Sequence, residues 1–428
     1  MVEVHKPDFV SSFSMLPSMA QSIEDVAVAH FMSSYVPGSH FDYLPCMYGQ
    51  SGADTVLSAT VHAASMALLA LELGQTSLMA MARRSYGKAL LETNSALADP
   101  KVNTHDTTLI SVLLLSLFEA IVWASPGTPR SWTTHTQGAL ALLKLRGSHQ
   151  VGTLVGRKLL FQVANVICVS SMQQRTRLPP DLVDLIHSAI QDEREYPSYR
   201  LACLTGDVSN LIADIDEGII AAEAAVRAAQ SLDAQYVSFS KSFLLAWKYR
   251  EIVLDEPQPE VYGKTVHQYP SQRAAQIWNS YRMTRILLNE IVHACAKGVP
   301  SSSGAQIQNH AASNVQEMAS EISASIPQFT HPEKFSVPLE PGFSRFQVLS
   351  IVPAPESISP KAAAASLLWP LSAIRGASLA SEDVRAYAVE RLKFLGREFR
   401  VPQAEKVALL TSKEFDALQD GLHMLYVS

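Results

Sequence analysis

Residues 107–124 read TTLISVLLLSLFEAIVWA. The run is apolar on nearly every side of a helix, and nothing in it alternates as a half-buried strand would. A helix of that kind stands in the middle of a bundle, so this stretch alone points to an all-α protein. Thr104 or Asp106 stands where its N-cap belongs. The apolar part, Leu109–Trp123, is too short to cross a bilayer comfortably and carries Glu119. It reads as a core helix of a soluble protein. Val56–Leu73, with His62, Glu72 and several small residues, reads the same way.

Working outward, helical spacing recurs on both sides. Ser18 and Ser22 are candidate caps for a first helix ending near Pro37. Ala53–Leu73 follows, stopped by Gly74, and then Ser77–Leu97, stopped at Asp99-Pro100. Ser125-Pro126-Gly127 makes a turn before a helix over Trp132–Arg146, with Gly147 at the left-handed C-cap position. Further helices are expected at Leu154–Gln173, Asp181–Glu193, Asp207–Gln230, Ala234–Arg250, Ser271–Lys297 and Gln306–Ser325. Ser301-Ser302-Ser303-Gly304 reads as a flexible joint dividing the chain into lobes 1–300 and 304–428. Residues 327–360 are rich in proline yet carry Phe329, Phe335, Phe343 and Phe346, so they read as an irregular segment laid across the helices. Helices over Ser381–Phe399 and Gln403–Leu425 close the chain. No alternating run demands a sheet.

Composition narrows the function. The 428 residues carry a formal charge of -6, and only 17% are charged. There is no global attraction to a polyanion. Charge this sparse implies helical surface buried internally or against a partner. Cys46, Cys168, Cys203 and Cys295 are far apart, as separate thiols of a reducing compartment are. No pair has zinc-ligand spacing, and residues 1–22 do not read as a signal peptide.

The search for chemistry returns little. Residues 147–153 have the glycine spacing of a phosphate loop but no lysine, and they follow a helix rather than a strand. Asp214 and Glu217 share a helix face, with Asp216 beside them, yet no second acidic cluster answers them as a diphosphate–magnesium site requires. Asp181 and Asp184 are a weaker pair. Glu119, inside its apolar helix, needs a partner, and His135 and Arg146 are the candidates. His62 and His135 have no nucleophile at telling spacing. Arg83-Arg84 and Arg282/Arg285 are isolated pairs, too few to track phosphates; Arg285 is expected to pair with Glu290 or to pack through its stem. No catalytic, cofactor-binding or metal residue is assigned.

Several blocks resemble the middle-homology region of fungal zinc-cluster transcription factors. They are Ala82-Arg-Arg-Ser-Tyr-Gly-Lys-Ala-Leu90 with Asn94, Ala96-Leu97 and Asp99-Pro100, then Asp106 to Leu109, then Ser116 to Glu119. Trp132, His135, Gly138-Ala139 and Leu142 to Gly147 follow, then Gly156-Arg-Lys-Leu-Leu-Phe161. Later come Trp278-Asn-Ser-Tyr-Arg282, Arg285-Ile-Leu-Leu-Asn289, Leu368-Trp-Pro-Leu371, Arg391-Leu392 to Gly396, and Gln403-Ala404. They run in family order from about residue 80 to 405.

The resemblance implies a helical regulatory domain over 1–428, bundled or α-solenoid-like, that modulates transcription in the nucleus. The family's DNA-binding module, six cysteines around two zinc ions, is not visible: no cysteine precedes Cys46 and no basic run precedes Arg83. The expectation is therefore a non-enzymatic regulator without cofactor or membrane contact. It would reach DNA through a DNA-bound factor, or self-associate, and serve a secondary-metabolite pathway, as shortened regulators of this kind do. The alternatives are an all-helical enzyme with an unreadable site, or a ligand-sensing or scaffolding module outside the nucleus.

Overall fold

A computed structural model describes residues 22–51, 56–122, 130–189, 197–299, 302–335, 360–411 and 413–415. The fold is all-α. The first helices are α1 (Ile23–Ser34), α2 (Leu44–Ser51), α3 (Val56–Leu73), α4 (Thr76–Ala98), α5 (Asp106–Ile121) and α6 (Arg130–Arg146). A 3-10 turn over Gly147–Gly152 leads to α7 (Leu154–Gln174), α8 (Pro180–Ala189), α9 (Pro197–Asp216) and α10 (Ala222–Lys241). After a two-stranded antiparallel hairpin come α11 (Gln272–Ala296) and α12 (Ser302–Ser325). The short turns α13 (Pro327–Thr330), α14 (Pro332–Phe335) and α15 (Pro360–Ala365) precede α16 (Leu368–Gly376), α17 (Glu382–Glu398) and α18 (Pro402–Leu409). From α3 to α12 each helix packs on its neighbour in sequence, a solenoid-like succession.

Local chemistry explains most of the ends. Ser22, Thr153, Ser271 and Ser381 cap α1, α7, α11 and α17, each side-chain oxygen accepting a backbone N–H of the first turn. In α5 every residue is buried except Asp106, Thr107 and Glu119. Its N-cap is His105, which makes no side-chain cap bond, so neither Thr104 nor Asp106 caps it. Helices α3 and α7 are long and apolar enough to cross a membrane, but 61% and 67% of those stretches are buried within the protein.

Several expectations are corrected. The helix over Asp207–Gln230 is two helices. Gly218 adopts φ +68°, and the N–H groups of Gly218 and Ile219 bond back to the carbonyls of Ile215 and Asp214, closing α9. The helix over Ala234–Arg250 belongs to α10 and ends at Lys241; Arg250 already starts strand β1 (Arg250–Val253), paired with β2 (Thr265–Gln268). Four-residue strands are too short to show alternation. Ser302, Ser303 and Gly304 are the first turn of α12 rather than a loose joint. In 327–360, Phe329 and Phe335 are buried on α13 and α14; Phe343 and Phe346 lie outside the described residues. So do Ser18, the 125–127 turn, residues 190–193 and everything after 415. Helices α2 and α16 have no counterpart in the sequence reading.

Two large apolar clusters fill most of the interior, beside a small one of Val261, Val266 and Phe335. One gathers α1 to α8, from Ala27 to Ala189. The other begins with Ala120 and Trp132 and continues through α9 to α12 and α16 to α18 as far as Phe415. Helix α7 serves both: Leu159, Leu160, Val163, Ala164, Ile167 and Cys168 join the first, Val166 and Met172 the second. The clusters part near α7 and α9, while α11 and α12 pack together across residues 300–304.

Gly396 accounts for one motif near the end. A Cβ there would lie 2.5 Å from Glu405 Cβ and 3.1 Å from Glu405 Cα, so α18 rests directly on the α17 backbone. Gly396→Ala is expected to destabilise by about 1–3 kcal/mol through overpacking. Gly87→Ala, at a helical position with open space around it, should stabilise by roughly 0.5–1 kcal/mol. Urea unfolding of both variants checks the pair, and opposite signs are expected.

Candidate functional site

Glu119 bonds directly to neither expected partner; it meets Tyr86, and His135 joins only through that hydroxyl. The Tyr86 hydroxyl donates to Glu119 Oε1 at 2.5 Å and lies 2.9 Å from His135 Nε2. With its O–H directed at Glu119, the phenol oxygen accepts from His135, so a chain His135–Tyr86–Glu119 ties α6, α4 and α5 together. Tyr86 also stacks on Phe118 at 4.2 Å. Burial, then the bond and charge of Glu119, raise the Tyr86 phenol; burial lowers His135. Arg146 is not a partner of Glu119. It pairs with Asp106, joining the end of α6 to the start of α5.

The other sequence candidates resolve into structural contacts. Asp214 and Glu217 both meet Arg177, and Asp216 meets Arg175, on the link between α7 and α8. Asp181 pairs with Lys144 at 2.8 Å. In the 147–152 turn, Gln150 Nε2 donates to the carbonyls of Leu143 and Gly147. His62 is half-buried on α3, and Arg83 and Arg84 are exposed on α4. None of the four cysteines is joined in a disulfide. Among the described residues, no three His, Cys, Asp or Glu side chains gather as a metal site.

The Trp278–Asn289 motif forms a polar spine along α11. Arg282 is fully buried. Its Nε donates to Glu321 at 2.8 Å, and Nη1 donates to the Tyr269 hydroxyl at 2.6 Å and to Asn279 Oδ1 at 3.1 Å. Tyr249, Trp278 and Tyr269 face the guanidinium at 5.0, 5.3 and 5.9 Å. Its Nη2 lies 3.4 Å from His267 Nδ1, which must accept, since a guanidinium only donates. One turn on, Arg285 grips both oxygens of Asp233 at 2.7 and 2.9 Å. Asn289 continues the line, donating to Asp233 and accepting from Asn314. Glu290, proposed from sequence as the partner of Arg285, instead accepts from the Ser378 backbone and hydroxyl.

Two clefts open where the apolar clusters meet. The first lies among α1, α3, α15, α16 and α18, walled by Leu68, Leu71 and Leu368, with Glu72 at its edge. Glu72 is occupied there: His30 and Lys361 hold it at 2.8 and 2.6 Å. The second cleft is larger, with about 870 Å³ of empty space including its open mouth. It lies among the α1–α2 loop, α7, α8, α9, the turn at Trp247 and the first turn of α11. It combines Arg157, Lys158 and Arg273 with Phe161, Tyr199 and Trp247. No sequence signal marked it, because its lining comes from six separate segments.

Residues 10–206 match the family model described as fungal specific transcription factor domain. No curated protein and no solved structure matches the chain. The matched stretch takes in the whole first apolar cluster and ends within α9. It points to a regulator of transcription. The α11 spine and the α17–α18 contact lie beyond it.

Two outcomes follow from the spine. Arg282→Ala leaves Glu321, Tyr269 and Asn279 without their donor and should cost about 3–5 kcal/mol, read as a fall in the urea midpoint. His267, buried beside Arg282, is pushed down to about 3, first by burial and then by that charge. Its unfolded value is about 6.5. Between those values the unfolded chain binds a proton that the folded chain refuses. Stability therefore falls as pH drops through that window, by about 1.4 kcal/mol per pH unit. Urea midpoints at pH 6.5 and 5.5 should show a smaller fall for His267→Gln than for the unaltered protein.

Proposed function

We propose that the protein regulates transcription in the nucleus of a fungus, and that its targets are genes of a secondary-metabolite pathway. The observation that carries this reading is the match of residues 10–206 to the fungal transcription factor domain. The in-order blocks that continue to about residue 405 extend it. The protein acts through helical surfaces, docking onto a DNA-bound factor or onto a second copy of itself.

The distribution of charge supports indirect contact with DNA. Arg146, Lys158, Arg175, Arg177, Arg282, Arg285, Lys334 and Lys361 are all engaged in ion pairs. A cation held by a carboxylate neutralises no phosphate, and phosphate contacts dominate affinity for DNA. With a net charge of -6 the chain offers duplex DNA no long-range attraction.

Deleting the gene and profiling transcripts tests the reading. A coherent set of co-located biosynthetic genes should change expression, and a tagged copy should concentrate in the nucleus. An unchanged transcript profile removes the proposal. In a mobility-shift assay at physiological salt, the purified chain alone should leave its target promoter unshifted, and adding the partner factor should produce a complex containing both proteins.

A further inference from the structure

The second cleft has a chemistry of its own. Its lining carries three cations, Arg157, Lys158 and Arg273, against one carboxylate, Asp42. Asp42 is consumed by Lys158, whose ammonium lies 2.8 and 2.9 Å from its two oxygens. Arg157 gives Nη1 to the Val151 carbonyl at 2.7 Å, and neither it nor Arg273 has a carboxylate partner among the described residues. In a chain of net charge -6, this local surplus of cations is a departure from the average.

Gln162 adds a second, independent observation. It lines the same cleft and is 2% exposed. The Tyr43 hydroxyl donates to its Oε1 at 2.6 Å, which fixes the amide. Its Nε2 has no hydrogen-bond partner. A buried amide donor left unmatched is unfavourable, and an acceptor placed in the cleft removes that penalty. The walls are aromatic: Phe161 and Tyr199 meet edge to face at 5.2 Å, and Trp247 is 7% exposed.

We propose that this cleft binds a small organic carboxylate with a flat apolar body. The Arg157 and Arg273 guanidinium groups and the Gln162 amide receive the anion, and Phe161, Tyr199 and Trp247 pack against the body. Guanidinium suits this role because its planar fork matches a carboxylate. Charge without aromatic walls would favour inorganic phosphate; aromatic walls without charge would favour a neutral molecule. The cleft has both. A ligand seated there touches α7 and α9, the Trp247 turn and the start of α11, so it braces the junction of the two apolar clusters. The inference concerns binding by the purified chain and holds whether or not the transcriptional reading does.

The test is calorimetric titration of the full chain with benzoate, phenylacetate and 4-phenylbutyrate, with 4-phenylbutyramide and inorganic phosphate as comparisons. At least one of the three carboxylates should bind. Its Kd should be lower than that of the amide and of phosphate by roughly tenfold, the worth of one charge-assisted hydrogen bond. Arg273→Ala, at an exposed position, should raise that Kd by a similar factor, and Gln162→Leu should weaken binding as well. Arg227→Ala, on the exposed face of α10, should leave it unchanged. Far-UV circular dichroism confirms that each variant is folded. The proposal is overturned if none of the carboxylates binds, if amide or phosphate binds as well as the acid, or if a folded Arg273→Ala chain binds the acid unchanged.

Discussion

A guanidinium with no exposed surface is held at the centre of the second apolar cluster, and the placement of the surrounding elements follows from it. Arg282 can be buried only because its donors meet Glu321, Tyr269 and Asn279 and because three aromatic rings replace the water around its faces. Each contact draws a different piece of chain onto α11. Glu321 brings α12, Tyr269 and His267 bring the hairpin, and Tyr249 brings the segment leading into it. One turn further, Arg285 and Asn289 do the same for α10 through Asp233 and for α12 through Asn314. Apolar packing alone would let these helices slide by a fraction of a turn. Directional hydrogen bonds from one helix face set their register.

The first cluster is organised differently. Its centre is α5, whose residues between Thr108 and Ile121 are all buried except Glu119. Burial without polar direction holds it, and the chain His135–Tyr86–Glu119 and the Arg146–Asp106 pair tie α4 and α6 to it. The two centres meet along α7, which contributes side chains to both. The second cleft lies along this meeting line, and the first opens between the same two clusters where α3 faces α15, α16 and α18. The transcription-factor match covers the α5-centred core, while the α11 spine and the cleft's Trp247 and Arg273 lie outside it. The second cleft thus combines side chains from the matched region with side chains from beyond it.

The residues that were legible in sequence are those whose role is local. Ser22, expected as a cap, does cap α1, because a short hydroxyl reaches the N–H groups of the turn that follows; Ser271 and Ser381 cap helices at the positions where those helices were expected to begin. Val384, Ala388, Leu392 and Leu395 recur at helical spacing and are fully buried. The break at Gly218 was missed because apolar residues continue through it; the signal was the glycine, which alone among its neighbours takes a left-handed conformation without strain. The hairpin escaped because its strands are four residues long.

Sequence by itself determined that the chain is helical, where most helices lie, that the stretch forming α5 is central and that the net charge is -6. These follow from periodicity, caps and composition, which need no knowledge of distant residues. Tertiary structure alone decided the partners. Arg285 took Asp233, 52 residues away, rather than Glu290 on its own helix. Arg146 took Asp106 rather than Glu119. Gln162 was set against Tyr43 beside three cations drawn from two helices. A side chain's intrinsic preference names the kind of partner it needs; only the packing of helices decides which one comes within reach.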